Sequence, residues 1–361
     1  MQLRGSVLQY RLYDVAWEIE LAKVQERVRE SRRLALERRR FSKAFEFADP
    51  PVGIRLEGFQ AELPGGPRQV NAYAKTYDYG VLSLIFELPY EGSMEGFEAL
   101  VQHLRAREPL AERFAQERDR LLSALGDALK GANTSRFQED YSVYYIRSLS
   151  PPLTAPELLG SYDVGRLLLW EPGEPPPSEL AKEELLSRRF SYSQHDLVVL
   201  SWDSALVMEP SGSMDIPDLL EFANAQLLEL RVYDDMLDRE LDMIYTEMGR
   251  RGSPSVWKIR RYEALAAKAM RTVAELTEIT EKIDNSLKVT EDVYYARVYA
   301  AALELLRLRQ WETNIKRKLE VAARVYDMLY REIATKRTEL LELLIVLLIA
   351  LEIVLFIALE F

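Results

Sequence analysis

The sequence predicts an α+β protein: an N-terminal mixed α+β domain, then long antiparallel helices, then one C-terminal transmembrane helix. Three observations lead there. Proline and glycine punctuate the chain as far as Gly252 and Pro254 and then cease. Upstream of that point, alternating or continuous apolar runs lie between turn clusters, the pattern of strands. From Leu340 onward the chain is apolar on every helical face.

Composition narrows the chemistry first. The 361 residues are 48% hydrophobic, enough to bury real cores, and the formal net charge is −11. That charge opposes sequence-specific nucleic-acid binding by the molecule as a whole, because neutralising phosphates takes a basic surface. There is no cysteine, which removes disulfides, zinc–thiolate sites, iron–sulfur clusters and cysteine nucleophiles together. His103 and His195 are the two histidines, so no multi-histidine metal centre is expected. Residues 1–13 lack the basic start and apolar run of a secretory signal, which places the bulk of the chain where it is made.

The elements follow in order. Residues 6–13 and 52–59 read as strands, and the Pro64-Gly65-Gly66-Pro67 turn leads into a second hairpin arm at 69–76. Residues 81–88 form a mostly apolar strand. A helical stretch at 94–129 is interrupted near Pro109, whose ring breaks the hydrogen-bond ladder. Residues 141–149 return to strand character, and LVVLSWDSALVM at 197–208 is a pair of short buried strands. This domain spans 1–210.

The segment 211–338 is helical. Ser213 and Asp215 supply a start signal and Pro217 suits a first turn. One helix covers 219–248, ended by Gly249 and Gly252, a second covers 257–283, and a third runs from about 291, continuous with the end of the chain. Tyr294, Val298, Ala301, Leu305, Leu308, Trp311, Ile315, Leu319, Ala322, Tyr326, Leu329 and Ile333 mark a stripe at spacings of three and four. Such a stripe packs within a helical bundle or drives homo-oligomerisation.

The segment 339–361 contains LLELLIVLLIALEIVLFIALEF, which as a helix spans about 33 Å, enough for a bilayer core. Glu352 interrupts it and Glu342 lies near its start. An ionised group at the centre costs roughly 3 kcal/mol, which the surrounding Leu, Ile, Val and Phe outweigh at about −0.3 to −0.6 kcal/mol each. Lys316, Arg317, Lys318, Arg324, Arg331, Lys336 and Arg337 precede the span. The excess of basic residues on that side predicts a cytoplasmic N-terminal domain at the cell inner membrane, held by a single-pass tail anchor. The rival is a soluble homo-oligomer that buries the same helix.

The residues from about 287 onward resemble the YagE/RMD-like family, named for "required for meiotic nuclear division". The likeness rests on Lys316-Arg-Lys-Leu-Glu, Val325-Tyr-Asp-Met-Leu, Lys336-Arg337 and the closing apolar run. Glu342 and Glu352 fall on the family's leading Leu-Glu and internal Ile-Glu-Val positions, and Tyr77-Asp-Tyr-Gly-Val-Leu-Ser resembles its early glycine-valine strand. Thr290-Glu-Asp-Val-Tyr-Tyr departs from the pattern, where the family has a proline and a tryptophan. The resemblance implies a domain of unknown function without an established catalytic activity. It also implies a membrane or intracellular setting and a connection, through one member, to organelle translation. Lacking an Arg/Ser-rich leader, the chain is expected to be a prokaryotic member.

Catalytic signatures are absent: there is no phosphate-binding GxxxxGK[ST] loop, dinucleotide GxGxxG, GxSxG elbow or HExxH. His195-Asp196 with Ser193 or Ser201 could be imagined as a hydrolytic dyad, although a hydrogen-bonded structural histidine explains it with less. Glu229, Asp234, Asp235, Asp238, Glu240, Asp242 and Glu247 make 229–247 an acidic helix. It suits either a hard cation such as Mg²⁺ or plain solvent. Residues 27–43 are strongly basic. Arg32, Arg33, Arg38, Arg39 and Arg40 there point to contact with anionic lipid or RNA, or to a helix rim of ion pairs.

The expectation is therefore a non-enzymatic, membrane-anchored scaffold without cofactor or metal. Its partners are the lipid bilayer, further copies of itself, and a cytoplasmic protein or ribonucleoprotein. The alternative from another class is an enzyme or metal-dependent regulator working through the acidic helix or a cleft in the α+β domain.

Overall fold

The computed structural model describes residues 1–30, 35–36, 45–47, 49–132, 135–170, 173–249, 287–289 and 292–360, together with positions 260, 263–264, 267, 270–271, 273–274 and 276–277. The chain opens with β1 (Gln2–Asp14), β2 (Glu18–Ile19) and α1 (Leu21–Glu30). The strands β3 (Ala35–Leu36), β4 (Phe45–Phe47), β5 (Val52–Arg55), β6 (Phe59–Leu63), β7 (Gly66–Thr76) and β8 (Val81–Ser93) follow. Helices α2 (Met94–Arg107) and α3 (Ala111–Leu125) lead through β9 (Leu129–Lys130) to β10 (Gln138–Ser150). Three short helices, α4 (Ala155–Ser161), α5 (Val164–Leu169) and α6 (Glu179–Leu186), precede β11 (Arg189–Phe190), β12 (Leu197–Leu200) and β13 (Ser204–Met208). Then come α7 (Asp215–Gly249), β14 (Leu287–Val289), α8 (Val293–Leu305) and α9 (Leu308–Glu360). The described positions between 260 and 277 are helical too. The α+β class predicted from sequence is the one observed.

Ten strands form one sheet in the order β11-β12-β13-β10-β1-β8-β7-β5-β3, with β6 paired to β7. β1 is its centre, antiparallel to β8 on one side and to β10 on the other. The β10–β13 pair is the parallel one. Parallel neighbours need a long crossover, and α4, α5 and α6 lie on the connection between them. The β6–β7 turn is the predicted Pro64-Gly65, and Gly65, at φ +92, supplies the left-handed residue such a turn requires. Gly80 closes the β7–β8 connection at φ +102, and a Cβ there would lie 1.9 Å from the Ala16 carbonyl oxygen. Only glycine fits.

Alternation along the strands sorts the side chains onto two faces. One face carries Val7, Ala74, Leu84, Phe86, Tyr144, Ile146 and Leu206, packed with Phe97, Leu121, Leu158 and Leu168 from α2 to α5 in one apolar core. The other face meets the first half of α7. Lys75 of β7 bonds to Asp218 and Glu221, and Tyr77 packs against Phe222. α7 starts as its sequence suggests, with the Ser213 hydroxyl accepting from the Asp215 N–H at 3.1 Å.

The chain divides into two compact units that interleave in sequence: Met1–Val232 with Lys282–Arg309, and Tyr233–Glu281 with Gln310–Phe361. In the second unit Ile244 packs with Val325, Leu329 and Ile333, and Tyr326 packs against them partly buried; Leu329, Ile333 and Tyr326 belong to the predicted stripe, and Val325 was not in it. The final helix is not continuous from 291. It breaks at Leu306-Arg307, where Arg307 takes φ +58 and its N–H turns back to the Glu304 carbonyl. A residue in the left-handed region ends a helix by capping its last carbonyls.

Candidate functional site

In the first unit a cavity of about 380 Å³ opens at one end of the sheet, on the apolar-core face, between β1, β10, the α2–α3 corner and the β12–β13 turn. Arg11 projects from β1 beneath α3, its guanidinium 5.0 Å from the Phe114 ring. It is hydrogen-bonded to Asp140 and lies 3.5 Å from Glu108. Arg105 from α2 donates to the Leu168 carbonyl at 2.8 Å and to Asp203 at 2.7 Å. Both guanidiniums are thus engaged. Burial opposes the charge on Arg11, yet Asp140, with smaller help from Tyr13 and Glu108, outweighs it and holds its pKa above the usual value.

Local structure fixes these groups. Glu108 ends α2 at φ 42, ψ 49, its N–H bonded to the Leu104 carbonyl. That left-handed position is usually glycine. The β12–β13 turn is pinned by the Tyr141 hydroxyl, which donates to the Ser201 and Ser204 carbonyls at 3.1 and 2.9 Å. Trp202 stands out of this turn with 68% of its surface exposed. The Tyr144 hydroxyl lines the cavity, buried, and burial pushes its pKa up while Arg105 and Ser204 pull the other way.

A second polar group lies on the α7 face. The Lys75 ammonium is buried, 2.8 Å from Asp218 and 2.6 Å from Glu221. Burial disfavours its charge, but the two carboxylates prevail and raise its pKa. Burial raises the Glu221 carboxyl, with Lys75 pulling the other way. Tyr77 and Tyr79 are also raised by burial, and Gln226 accepts from the Tyr299 hydroxyl at 2.6 Å. Burial lifts Asp14, at the end of β1, to about 7. This is an enclosed layer rather than an open site.

In the second unit, α9 contains one helical stretch long and apolar enough to cross a membrane, with mean hydropathy 3.0. None of the apolar window is buried, and every residue from 341 to 357 is exposed. Glu342 and Glu352 lie within that run. Lys336 is paired with Glu332 at 3.7 Å and Glu339 at 3.0 Å, and Arg337 is bonded to Glu263.

Other sequence-predicted groups fall as follows. Arg32, Arg33, Arg38, Arg39 and Arg40 lie outside the described residues. On the acidic helix, Asp234 and Asp238 hold Lys318 at 2.7 and 2.6 Å, Asp235 pairs with Arg239, and Glu229 is buried. No group of three or more potential metal ligands occurs among the described residues. His195 and Asp196 do not form a dyad. Asp196 accepts from the backbone N–H groups of Tyr192 and Ser193 and from the Tyr294 hydroxyl, while His195 Nδ1 faces the Leu153 carbonyl. Sequence reasoning did not single out Lys75, Asp218, Glu221, Arg11, Glu108 or Trp202. A tryptophan beside an aspartate in a tight turn was the signal available.

A family model described as "Uncharacterized protein MJ0711, N-terminal domain" matches residues 4–215. The chain belongs to this family. The relative named "Uncharacterized protein MJ0711", from Methanocaldococcus jannaschii, is 28% identical over 236 residues, covering 64% of this chain and 69% of the relative. No solved structure matches. The family is thus a domain family of unknown function, and its match takes in the sheet from residue 4 of β1 onward, the cavity and Lys75, ending at the first residue of α7.

Proposed function

We propose that this chain is a single-span membrane protein whose α+β domain recruits a cytoplasmic protein or ribonucleoprotein to the membrane surface and catalyses no reaction itself. The observation that carries the reading is the all-round exposure of residues 341–357. The core helix of a soluble protein passes the same length and composition test, but such a helix is mostly buried and this one is not. Water in contact with Leu343, Leu344, Ile345, Val346, Leu347 and Leu348 together is unfavourable at about 25 cal/mol per Å² of apolar surface. Lipid removes that cost on every face at once.

Lys336 and Arg337, one turn before the run, supply the basic flank that orients the domain toward the cytoplasm. The finer family reading, a YagE/RMD-like protein with a role near translation, rests on Glu342 and Glu352 in that run and on the Lys316–Arg337 flank. Full-length protein from cells stays with the bilayer fraction through alkaline carbonate washing. Release into the aqueous fraction as a discrete oligomer supports the rival in which copies bury the helix against one another.

A carboxylate within lipid is best tolerated when a neighbouring helix shares its hydrogen bonds. Glu352 is accordingly the residue expected to hold copies of the span together. Glu352→Leu lowers the yield of crosslinked oligomer in membranes, and an unchanged yield removes Glu352 from the contact. A second reading, a domain that handles a small ligand, is favoured by one observation: the cavity of about 380 Å³ brings several titratable side chains to one opening.

A further inference from the structure

We infer that the cavity between the α2–α3 corner and the β12–β13 turn binds a small organic polycation, a di- or polyamine, between the Trp202 ring and the carboxylates of Glu108 and Asp140. It rests on the second reading and not on the anchor.

Four features of the cavity bear on the ligand. Its volume, about 380 Å³, lies in the range of small-molecule sites. Its two arginines are already spoken for: Arg11 by Asp140 and Glu108, Arg105 by Asp203 and a carbonyl. What reaches solvent is carboxylate, with the Glu108 side chain 68% exposed and that of Asp140 49% exposed, against 13% for Arg11 and 12% for Arg105. An anion entering here would meet the carboxylates first, whereas an ammonium would find acceptors with spare lone pairs.

The aromatic component is independent of the charges. A tryptophan left mostly in water at a tight turn wastes the largest apolar surface a side chain offers. Indole is also the best ring face for a cation. The Tyr141 bonds to the carbonyls on either side hold this turn in place, so the ring is presented from a fixed platform. Deeper in, the buried Tyr144 hydroxyl has Arg105 and Ser204 for neighbours, so the ammonium groups of the ligand stay at the mouth of the cavity.

The third component is backbone. Glu108 holds the left-handed position at the end of α2, just before Pro109. Glycine there removes the Cβ penalty. A glutamate at that spot gives away local stability, and what it gains is a carboxylate at the mouth of the cavity.

This yields a test in which loss of fold and loss of binding move in opposite directions. Full-length protein in detergent or nanodiscs is titrated with spermidine at physiological ionic strength, read by calorimetry and by tryptophan fluorescence. Saturable binding of one spermidine is expected. Glu108→Gly weakens it by about tenfold or more while the melting temperature holds or rises. Trp202→Ala, which leaves the net charge unchanged, weakens binding and removes the fluorescence response. Asp119→Asn, on the exposed side of α3, serves as the control for diffuse attraction of a polycation to an acidic protein, and it leaves binding unchanged. Non-saturable binding, or equal weakening by Asp119→Asn and Glu108→Gly, or no binding at all, overturns the inference, whatever the carbonate wash shows.

Discussion

The two faces of the central sheet are built on opposite terms. The face toward α2–α6 is apolar away from the cavity at its end: Leu84, Phe86, Phe97, Leu121 and Leu168 are fully buried there, and Phe86 stacks on Phe114 at 3.9 Å between centroids. The face toward the first half of α7 buries charge: Lys75, Asp218, Glu221 and Glu229 are all under one-tenth exposed. An apolar face is held by area and tolerates approximate shape. A charged interior is held only while each charge keeps its partner, because desolvation otherwise costs several kcal/mol per ion. The first arrangement supplies stability. The second fixes where α7 sits on the strands, since a one-residue slip would separate Lys75 from both its carboxylates.

Single substitutions bring this contrast out most strongly. Lys75→Met leaves two like charges buried without their counter-ion and is expected to destabilise by about 3–5 kcal/mol, measured by denaturant unfolding of the full chain. Leu84→Ala on the opposite face costs a comparable ~2–5 kcal/mol through lost transfer energy and a cavity. The two are told apart by rescue. Adding Asp218→Asn and Glu221→Gln to Lys75→Met recovers most of the loss, and the same pair added to Leu84→Ala recovers none. Failure of the rescue would mean that the loss does not come from the uncompensated charge of Asp218 and Glu221.

A smaller, pH-dependent effect belongs to Asp14. Burial raises its carboxyl from 3.8 to about 7, so the folded protein holds a proton that the unfolded chain releases. The stability from that proton is fully present below pH ~4 and is lost as pH rises through 7. Asp14→Asn, uncharged throughout, should therefore stabilise at pH 8, by up to a few kcal/mol. The gain should shrink as pH falls toward 4, followed as the difference in melting temperature. A gain independent of pH would assign the effect to packing.

Much of this architecture is legible in the sequence because it depends on local pattern. The alternation in 6–13 and the continuous apolar run at 81–88 both became long central strands, and the proline at 109 did divide two helices. The short helices α4, α5 and α6 were not foreseen: at 7, 6 and 8 residues they are too brief for a 3.6-residue period to stand out. The charged layer escaped for a different reason. Lys75 and Glu221 lie 146 residues apart, and no periodicity reports a partner at that range. His195 and Asp196 show the converse, adjacent in sequence but turned to different partners by the loop that Asp196 caps. Proximity along the chain was a poor guide to chemistry in both cases.

The last helix has a mechanical corollary. α9 runs from Leu308 to Glu360 as 53 consecutive helical residues, a rod of about 80 Å, with neither glycine nor proline anywhere in it to act as a hinge. A helix without a joint can curve gently but does not kink partway along. On the anchored reading, a tilt or twist that the bilayer imposes on Ile345 or Val354 is therefore carried toward the packed turns around Ile315 and Leu329. Bilayer thickness would then set the pose of the helices outside it, as a keel sets the lean of a mast.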